Sequence, residues 1–285
     1  MKDHRLHFPI KLMAKVLDVS RAGYYAWLVR GPSARARADG ELKAKIQRAH
    51  DGSRATYGAK RIQAELAAEG TMAGRDHIDR LRKEMGLGCK QKRKFKATTN
   101  SKHNLPTAPN LLNQVFSPTT PGMAWGTDIT YIPTDEGWLY LAGVKDFGSK
   151  EIVGWAMGDR MTKELVRAAL AKALAFRTPL PGCIHHSDRG SQYCSHEYRR
   201  DVEAAGLRAS MSRKGNCYDN APTESLWGCL KQELIHHRRF ATRAEAMAAI
   251  QEYIEIFYNR VRRHSAIGNV APSRYAESFY LEKTA

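Results

Sequence analysis

Residues 125–157, WGTDITYIPTDEGWLYLAGVKDFGSKEIVGWAM, decide the fold. The runs WGTDITYIP, WLYLAGVKDF and EIVGWAM are rich in β-branched and aromatic residues, with Asp135-Glu136-Gly137 and the Gly148-Ser149 region as turns between them, and they predict three consecutive strands. Downstream, Leu165, Ala169, Leu170, Ala173 and Leu174 stripe a helix predicted over about 162–176. A strand over about 182–186, a helix over about 195–206, a strand over 207–211, a Gly/Asn loop and a helix from about Ala221 follow. Thr242 and Glu245 form a capping box that opens a long helix striped by Met247, Ile250, Ile254 and Phe257. This order predicts an α/β unit, a mixed five-stranded sheet with flanking helices.

Upstream, the Thr-, Pro- and Asn-rich stretch over 97–120 lacks periodicity and reads as a linker between a helical region over 1–96 and a core over 121–285. Leu12, Val16 and Leu17 share one face of a short helix, Asp18-Val19-Ser20 breaks it with Ser20 as a candidate N-cap, and a second helix runs through Tyr24, Trp27 and Leu28. The rhythm returns at larger scale, with Ile62 and Leu66 on a helix over about 58–69, a break from Gly70 to Gly74, and Ile78, Leu81 and Met85 on a helix over about 75–86. Two short helices joined by a glycine-bearing turn fit helix-turn-helix DNA binding, and fit a plain helical bundle equally. Charge favours the former: Arg75, Arg80, Arg82 and Lys83 lie on the second helix, and Lys92, Arg93 and Lys94 in the basic run that follows it. The chain of 285 residues carries +17, of which residues 1–110 hold +14 (24 Lys and Arg, 10 Asp and Glu) and residues 111–285 only +3. That excess argues against an ordinary acidic metabolic enzyme and makes a polyanion the first partner to consider, against the plainer alternative of a solvated charged face.

Three acids sit where acids are structurally awkward. Asp128 interrupts the first predicted strand, where a buried carboxylate costs several kcal/mol unless it is paired or ligates a metal. Asp188 follows the strand that ends at His186, at the carboxyl edge of the sheet, and Glu224 opens the helix NAPTESLWGCLKQEL. Taken singly, Asp188 reads as a turn residue and Glu224 as a helix-dipole glutamate. Together they converge on one rim, where mutual repulsion demands cations; hard oxygen ligands select Mg²⁺ or Mn²⁺, and two such ions suit in-line displacement at the phosphorus of a DNA phosphodiester. Lys231 lies two turns beyond Glu224 on the same face, placed to bind a phosphate beside the scissile bond or, more plainly, an exposed lysine. His185 and His186 flank the site but read as packing or hydrogen-bonding residues, because hard ions prefer carboxylates. Arg262 and His264 read either as DNA contacts or as braces for the last helix.

The strings WGTDITYI, HSDRGSQY and DNAPTESLWGCLK, with 35 residues between Asp188 and Glu224, resemble the DDE catalytic domain of bacterial insertion-sequence transposases, specifically the second-frame (OrfB) product of the IS-three family, itself similar to retroviral integrases. The predicted element order is also that of ribonuclease H-like nucleases. YNRVRRHSAIGNVAPSRY resembles the end of the same core, and SRAGYYAWL and SRATYGAKRIQAEL its N-terminal helical part, so the resemblance runs from about residue 12 to 278. It implies Asp128, Asp188 and Glu224 as the metal-binding triad and Lys231 as a DNA contact. It further implies strand cleavage at element ends to leave a 3′-hydroxyl, then attack of that hydroxyl on another phosphodiester, without a covalent enzyme intermediate or ATP. Trp227 stands where the family often has Phe. The implied partners are double-stranded DNA (terminal repeats and target), further copies of the chain as a homodimer or higher multimer, and an upstream-frame (OrfA) product, separate or fused. A non-catalytic DNA-binding regulatory subunit would explain the basic N-terminal part but not the triad. A retroviral-type integrase would need a His₂Cys₂ zinc module, and no such cluster precedes residue 110.

No apolar run approaches the ~20 residues that span a bilayer, and the N-terminus lacks a continuous apolar segment of the secretory kind. Cys89, Cys183, Cys194, Cys217 and Cys229 make an odd set without a C-x-x-C pair, so neither a disulfide framework nor a zinc knuckle is encoded. A cytoplasmic, nucleoid-associated bacterial protein is the expectation.

Overall fold

A computed structural model describes residues 1–90, 107–112, 120–213 and 221–284, except for the side chains of 221–224, 226, 283 and 284. Its centre is a five-stranded sheet built from β1 (Ala124–Thr134), β2 (Gly137–Asp146), β3 (Ile152–Gly158), β4 (Ile184–Ser187) and β5 (Arg208–Met211), in the order β3-β2-β1-β4-β5. The three expected strands pair as an antiparallel meander, and β4 and β5 join β1 in parallel. Alternation along β1 and β2 sends side chains to two separate cores. Trp125, Ala142 and Val144 meet α6 (Lys163–Phe176) and α7 (His196–Ala204) on one face, through Leu165, Val166, Leu170, Tyr198 and Val202. Ile132, Leu139 and Leu141 meet α8 (Ala221–Glu233) and α9 (Arg243–Glu252) on the other, through Trp227, Leu230 and Ile250. Both faces are therefore covered, which explains why β2 reads as a nearly continuous apolar run.

The long helix expected after Thr242 starts as predicted, the Thr242 hydroxyl accepting from the Glu245 N–H at 3.1 Å. It is not α-helical throughout: from Tyr253 to Val261 it widens into a π-helix. The wider turn lets Asn259 face edge strand β3, where its side-chain amide accepts from the Ile152 N–H and donates to the Ile152 carbonyl, both at 3.0 Å. At the other edge, part of the expected linker is packed. Residues 107–112 run along β5, the Leu111 N–H on the Ser210 hydroxyl at 2.9 Å and the Met211 N–H on the Pro109 carbonyl at 3.3 Å.

The N-terminal region is helical. α1 (Ile10–Val16) and α2 (Arg21–Val29) form a hairpin, and α3 (Ala34–Gly52), α4 (Ala59–Ala68) and α5 (Arg75–Glu84) close around Ile46, Tyr57, Ile62, Leu66, Ile78 and Leu81. α4 and α5 are the expected helix-turn-helix pair, their break entered through Gly70 in the left-handed region at φ 77°. α3, which the sequence reading did not assign, supplies their third wall. Among the described residues no helix is long and apolar enough to cross a membrane.

Candidate active site

The parallel pairing of β1 with β4 matches Ala124 to Ile184, Trp125 to His185 and Gly126 to His186, and then stops. Carried two steps further, the same register sets Asp128 opposite Asp188, just past the carboxyl end of β4 (Ser187), where β1 runs on paired with β2 alone; the carboxyl ends of strands are the usual ligand position in sheets of this kind. Both residues are partly exposed. Each anchors one carboxylate oxygen on a nearby backbone amide: Asp128 accepts from Ile129 N–H and Asp188 from Gly190 N–H, both at 2.8 Å. Beneath them Tyr193 shares a 3.3 Å hydrogen bond with Thr127. Burial pushes the Tyr193 phenol well above its ordinary pKa, and Asp128, Tyr198 and Asp188 push it further in the same direction, so one buried hydroxyl feels both carboxylates.

α8 is held against this rim by a missing side chain. Gly143 is the cross-strand partner of Asp128, and a Cβ there would stand 2.6 Å from the Trp227 ring, so the indole occupies the glycine's place. Positions 224, 227 and 231 follow the three- and four-residue spacing of a single helix face, so seating Trp227 beside Asp128 fixes the height of that face. Glu224 lies in the first turn of α8, and its side chain falls outside the described residues. Lys231 is not the exposed lysine of the plainer reading: it is buried, with Nζ 4.9 Å from the Tyr131 ring centroid. Burial lowers its pKa and the charge of Asp128 works against that shift. Among the described residues no three His, Cys, Asp or Glu side chains are grouped to hold a metal ion. Two hard carboxylates with polar surroundings, partly open to solvent, form a donor set that fits Mg²⁺ or Mn²⁺.

The histidines are engaged elsewhere. His185 Nε2 bonds the Tyr198 hydroxyl at 2.6 Å, and His186 bonds Ser210 and Ser212 at 2.9 and 3.2 Å. Burial, aided by His186, pushes His185 down to about 3, so it is a neutral ring in the sheet.

The expected DNA contacts need revision. Arg75 pairs with Asp76, Arg80 with Asp39 and Glu84, and Lys83 with Asp79, so α5 presents ion pairs where a bare cationic face was expected. Arg82 is buried, its guanidinium on the Leu87 carbonyl at 3.1 Å and near Asp79. Arg262 is a brace, its side chain 4% exposed and bonded to Glu233 at 2.8 Å. For His264, burial, then the charges of Lys145 and Arg262, push it down to about 3, which leaves no charge for a phosphate. Lys92, Arg93 and Lys94 lie outside the described residues.

Gly143, Tyr193 and the buried Lys145 escaped the sequence reading. A glycine interrupting the apolar run of β2 was the available signal for the first, since such a glycine marks close approach by another element. Tyr193 sits inside HSDRGSQY, but its burial depends on α7 and could not be read locally.

An integrase core domain family matches residues 118–217 and, in a second segment, 205–272, and an HTH-like domain family matches residues 36–95. The chain is 59% identical to an uncharacterized 31 kDa protein of insertion element IS600 from Shigella sonnei, over 94% of this chain and 98% of that protein. It is 41% identical to the transposase InsF for insertion sequence IS3A of Escherichia coli K12, over 96% of each. Among solved structures, the catalytic core domain of BIV integrase is similar to 57% of this chain and 99% of its own, at 17% identity and a TM-score of 0.42. With a near full-length match to such relatives, and an integrase core preceded by an HTH-like domain, this chain belongs to the IS3 family of insertion-sequence transposases.

Proposed function

We propose that the protein cleaves DNA at the ends of an insertion element and joins the freed 3′-hydroxyl to target DNA by metal-dependent transesterification. In this reading Asp128, Asp188 and Glu224 hold the metal. The observation that supports it is the parallel register of β1 and β4, whose last pair, Gly126 with His186, lies two residues short of each aspartate at the carboxyl end of β4. Two like charges so placed, which the charge of Lys231 alone does not balance, favour divalent counter-ions. When bound, Mg²⁺ or Mn²⁺, two ions in the proposal, would supply activation of the attacking oxygen and charge neutralisation at the leaving one.

The chain's own residues orient the reaction. The Ile129 and Gly190 amides fix the direction of the two carboxylates, and Trp227 sets the height of α8 and hence of Glu224. Lys231 is proposed to meet the phosphate beside the scissile bond. In the first step a water oxygen bonds to phosphorus as the bond from phosphorus to the 3′ oxygen breaks, and the water's proton is balanced by one taken up at that oxygen. In the second step the 3′-hydroxyl replaces water as nucleophile and a target 3′ oxygen leaves. Terminal repeats and target DNA are the substrates, and the proposal includes a homodimer or higher multimer, an upstream-frame (OrfA) partner and a nucleoid location in the bacterial cytoplasm.

The test is incubation of the purified chain with a labelled element-end duplex and Mg²⁺ or Mn²⁺. Nicking that leaves a 3′-hydroxyl is expected from the parent and is expected to fall at least about a hundredfold in Asp188→Ala and Glu224→Gln. Undiminished nicking in either variant would sink the triad assignment, and duplex binding with no nicking by the parent would favour the regulatory-subunit reading.

A further inference from the structure

Residues 1–37 precede most of the matched HTH-like segment over 36–95 and have no part in the chemistry above. They hold eight Lys and Arg against Asp3 and Asp18, a net of +6, and among the described residues none of these cations is in an ion pair. The contrast with α5 is direct: its exposed cations are matched by Asp39, Asp76, Asp79 and Glu84, whereas α1 (IKLMAKV) and α2 (RAGYYAWLV) contain no acid.

The turn between α1 and α2 is short and closed at both ends. Asp18 takes the left-handed conformation at φ 50°, and the Val19 N–H reaches back to the Ala14 carbonyl at 3.0 Å, the hydrogen bond that ends a helix in a Schellman motif. Ser20 then caps α2, its hydroxyl accepting from the Gly23 N–H at 2.9 Å. Ala14 and Tyr24 are the buried residues of the hairpin, and Trp27 stacks on Tyr24 with ring centroids 6.2 Å apart. Arg21 and Tyr25, four residues apart, share an exposed face of α2. Two short helices joined by a four-residue turn, with an acid-free second helix, share the turn length and charge of a helix-turn-helix that reads a DNA groove.

We infer that α1–α2 is a second helix-turn-helix unit that binds duplex DNA, with α2 in a groove through Arg21 and Tyr25 and the neighbouring cations on phosphates. This rests on the reading of the chain as a DNA transposase and assigns duplex contact to a hairpin outside most of the matched HTH-like segment. Charge complementarity selects the occupant: a second copy would set one +6 surface against another, whereas DNA is a polyanion.

The test is fluorescence anisotropy of the full chain on a labelled duplex over a salt series, with chelator present so that no cleavage occurs. Substituting Lys11→Gln, Lys15→Gln and Arg21→Gln together should flatten the slope of log affinity against log salt by about 0.9 for each phosphate that is no longer neutralised, so by about 2 to 3. Arg80→Gln with Lys83→Gln should leave the slope as in the parent. All these positions are exposed, and unchanged far-UV circular dichroism would confirm folding. An unchanged slope in the triple variant overturns the inference. So does a result in which Trp27→Ser with Val29→Ser alters the oligomeric state by sedimentation while the triple variant binds as the parent does, which would make the hairpin a protein interface. Asp188→Ala separates the two readings: if it still nicks while the triple variant flattens the slope, the active-site assignment fails and this one stands.

Discussion

A methyl group at position 143 has nowhere to go. In Gly143→Ala the new Cβ must push the Trp227 ring, and overpacking of this kind costs about 1–3 kcal/mol. Because α8 carries Glu224, nicking should fall more steeply than thermal stability, and Trp227→Phe in the same chain, with a shorter ring, should restore nicking; parental nicking by Gly143→Ala would refute the coupling. His185 gives a pH prediction. Its folded-state pKa is pushed down to about 3 by burial, so below about pH 6.5 the unfolded chain binds a proton that the folded chain does not. The stabilising effect of the neutral ring is complete above that pH and is lost as pH falls, at about 1.4 kcal/mol per pH unit. Urea denaturation between pH 6 and 4 should show a slope shallower by about 1 kcal/mol per pH unit in His185→Gln than in the parent. Equal slopes would show that another group governs acid unfolding.

Among the elements, the π-helical stretch after α9 matters for what it blocks. Asn259 caps the start of the outer edge of β3 at Ile152, and residues 107–112 lie along β5, so both edges carry contacts that hinder pairing with another strand. Asn259→Ala would strand the Ile152 N–H and carbonyl at a cost of about 1–3 kcal/mol, read as a lower urea midpoint, and should raise light scattering on warming. Arg262→Ala should cost more, about 3–5 kcal/mol, because Glu233 would remain buried without its cation. The strands and the capped start of α9 were legible because their signals are local: period-two patterning in WGTDITYIP, and Thr242 three residues before Glu245. The widening at Tyr253 was not, since it answers to an edge strand a hundred residues earlier in the chain. The ion pairs of α5 were hidden for a similar reason: Asp39 on α3 reaches Arg80 only in the folded chain. For Arg262 the sequence left DNA contact and bracing open, and only the fold, by bringing Glu233 beside it, decides for the brace.

Across the whole molecule, the α3–α5 unit is latched to the C-terminal part by a few specific contacts. The Tyr57 hydroxyl accepts from the Arg263 N–H at 2.7 Å and donates to the Val261 carbonyl at 3.3 Å, while Arg54 pairs with Glu252 and Arg263 with Glu65. Tyr57→Phe removes the hydrogen bonds and keeps the ring, so amide exchange should quicken in α4 and α5 and stay unchanged in β1 and β2; uniform quickening would mean that the two parts unfold as one. The placement of the two acids was legible from residue type and position, with Asp128 inside a strand and Asp188 just past another. Their convergence on one rim was expected, but the register behind it was not legible, because sequence alone does not align strands. That register also has a bearing on descent. Loops, β2, β3 and α6 all lie between the two aspartates, and residues added or removed in the loops would leave the pairing of Ala124 with Ile184 untouched. One residue deleted between 124 and 128 would instead move Asp128 by a strand step of about 3.3 Å and turn it to the opposite face. Related chains should therefore vary freely in the length that separates these two acids and hardly at all in the four residues that lead from each paired strand position to its carboxylate.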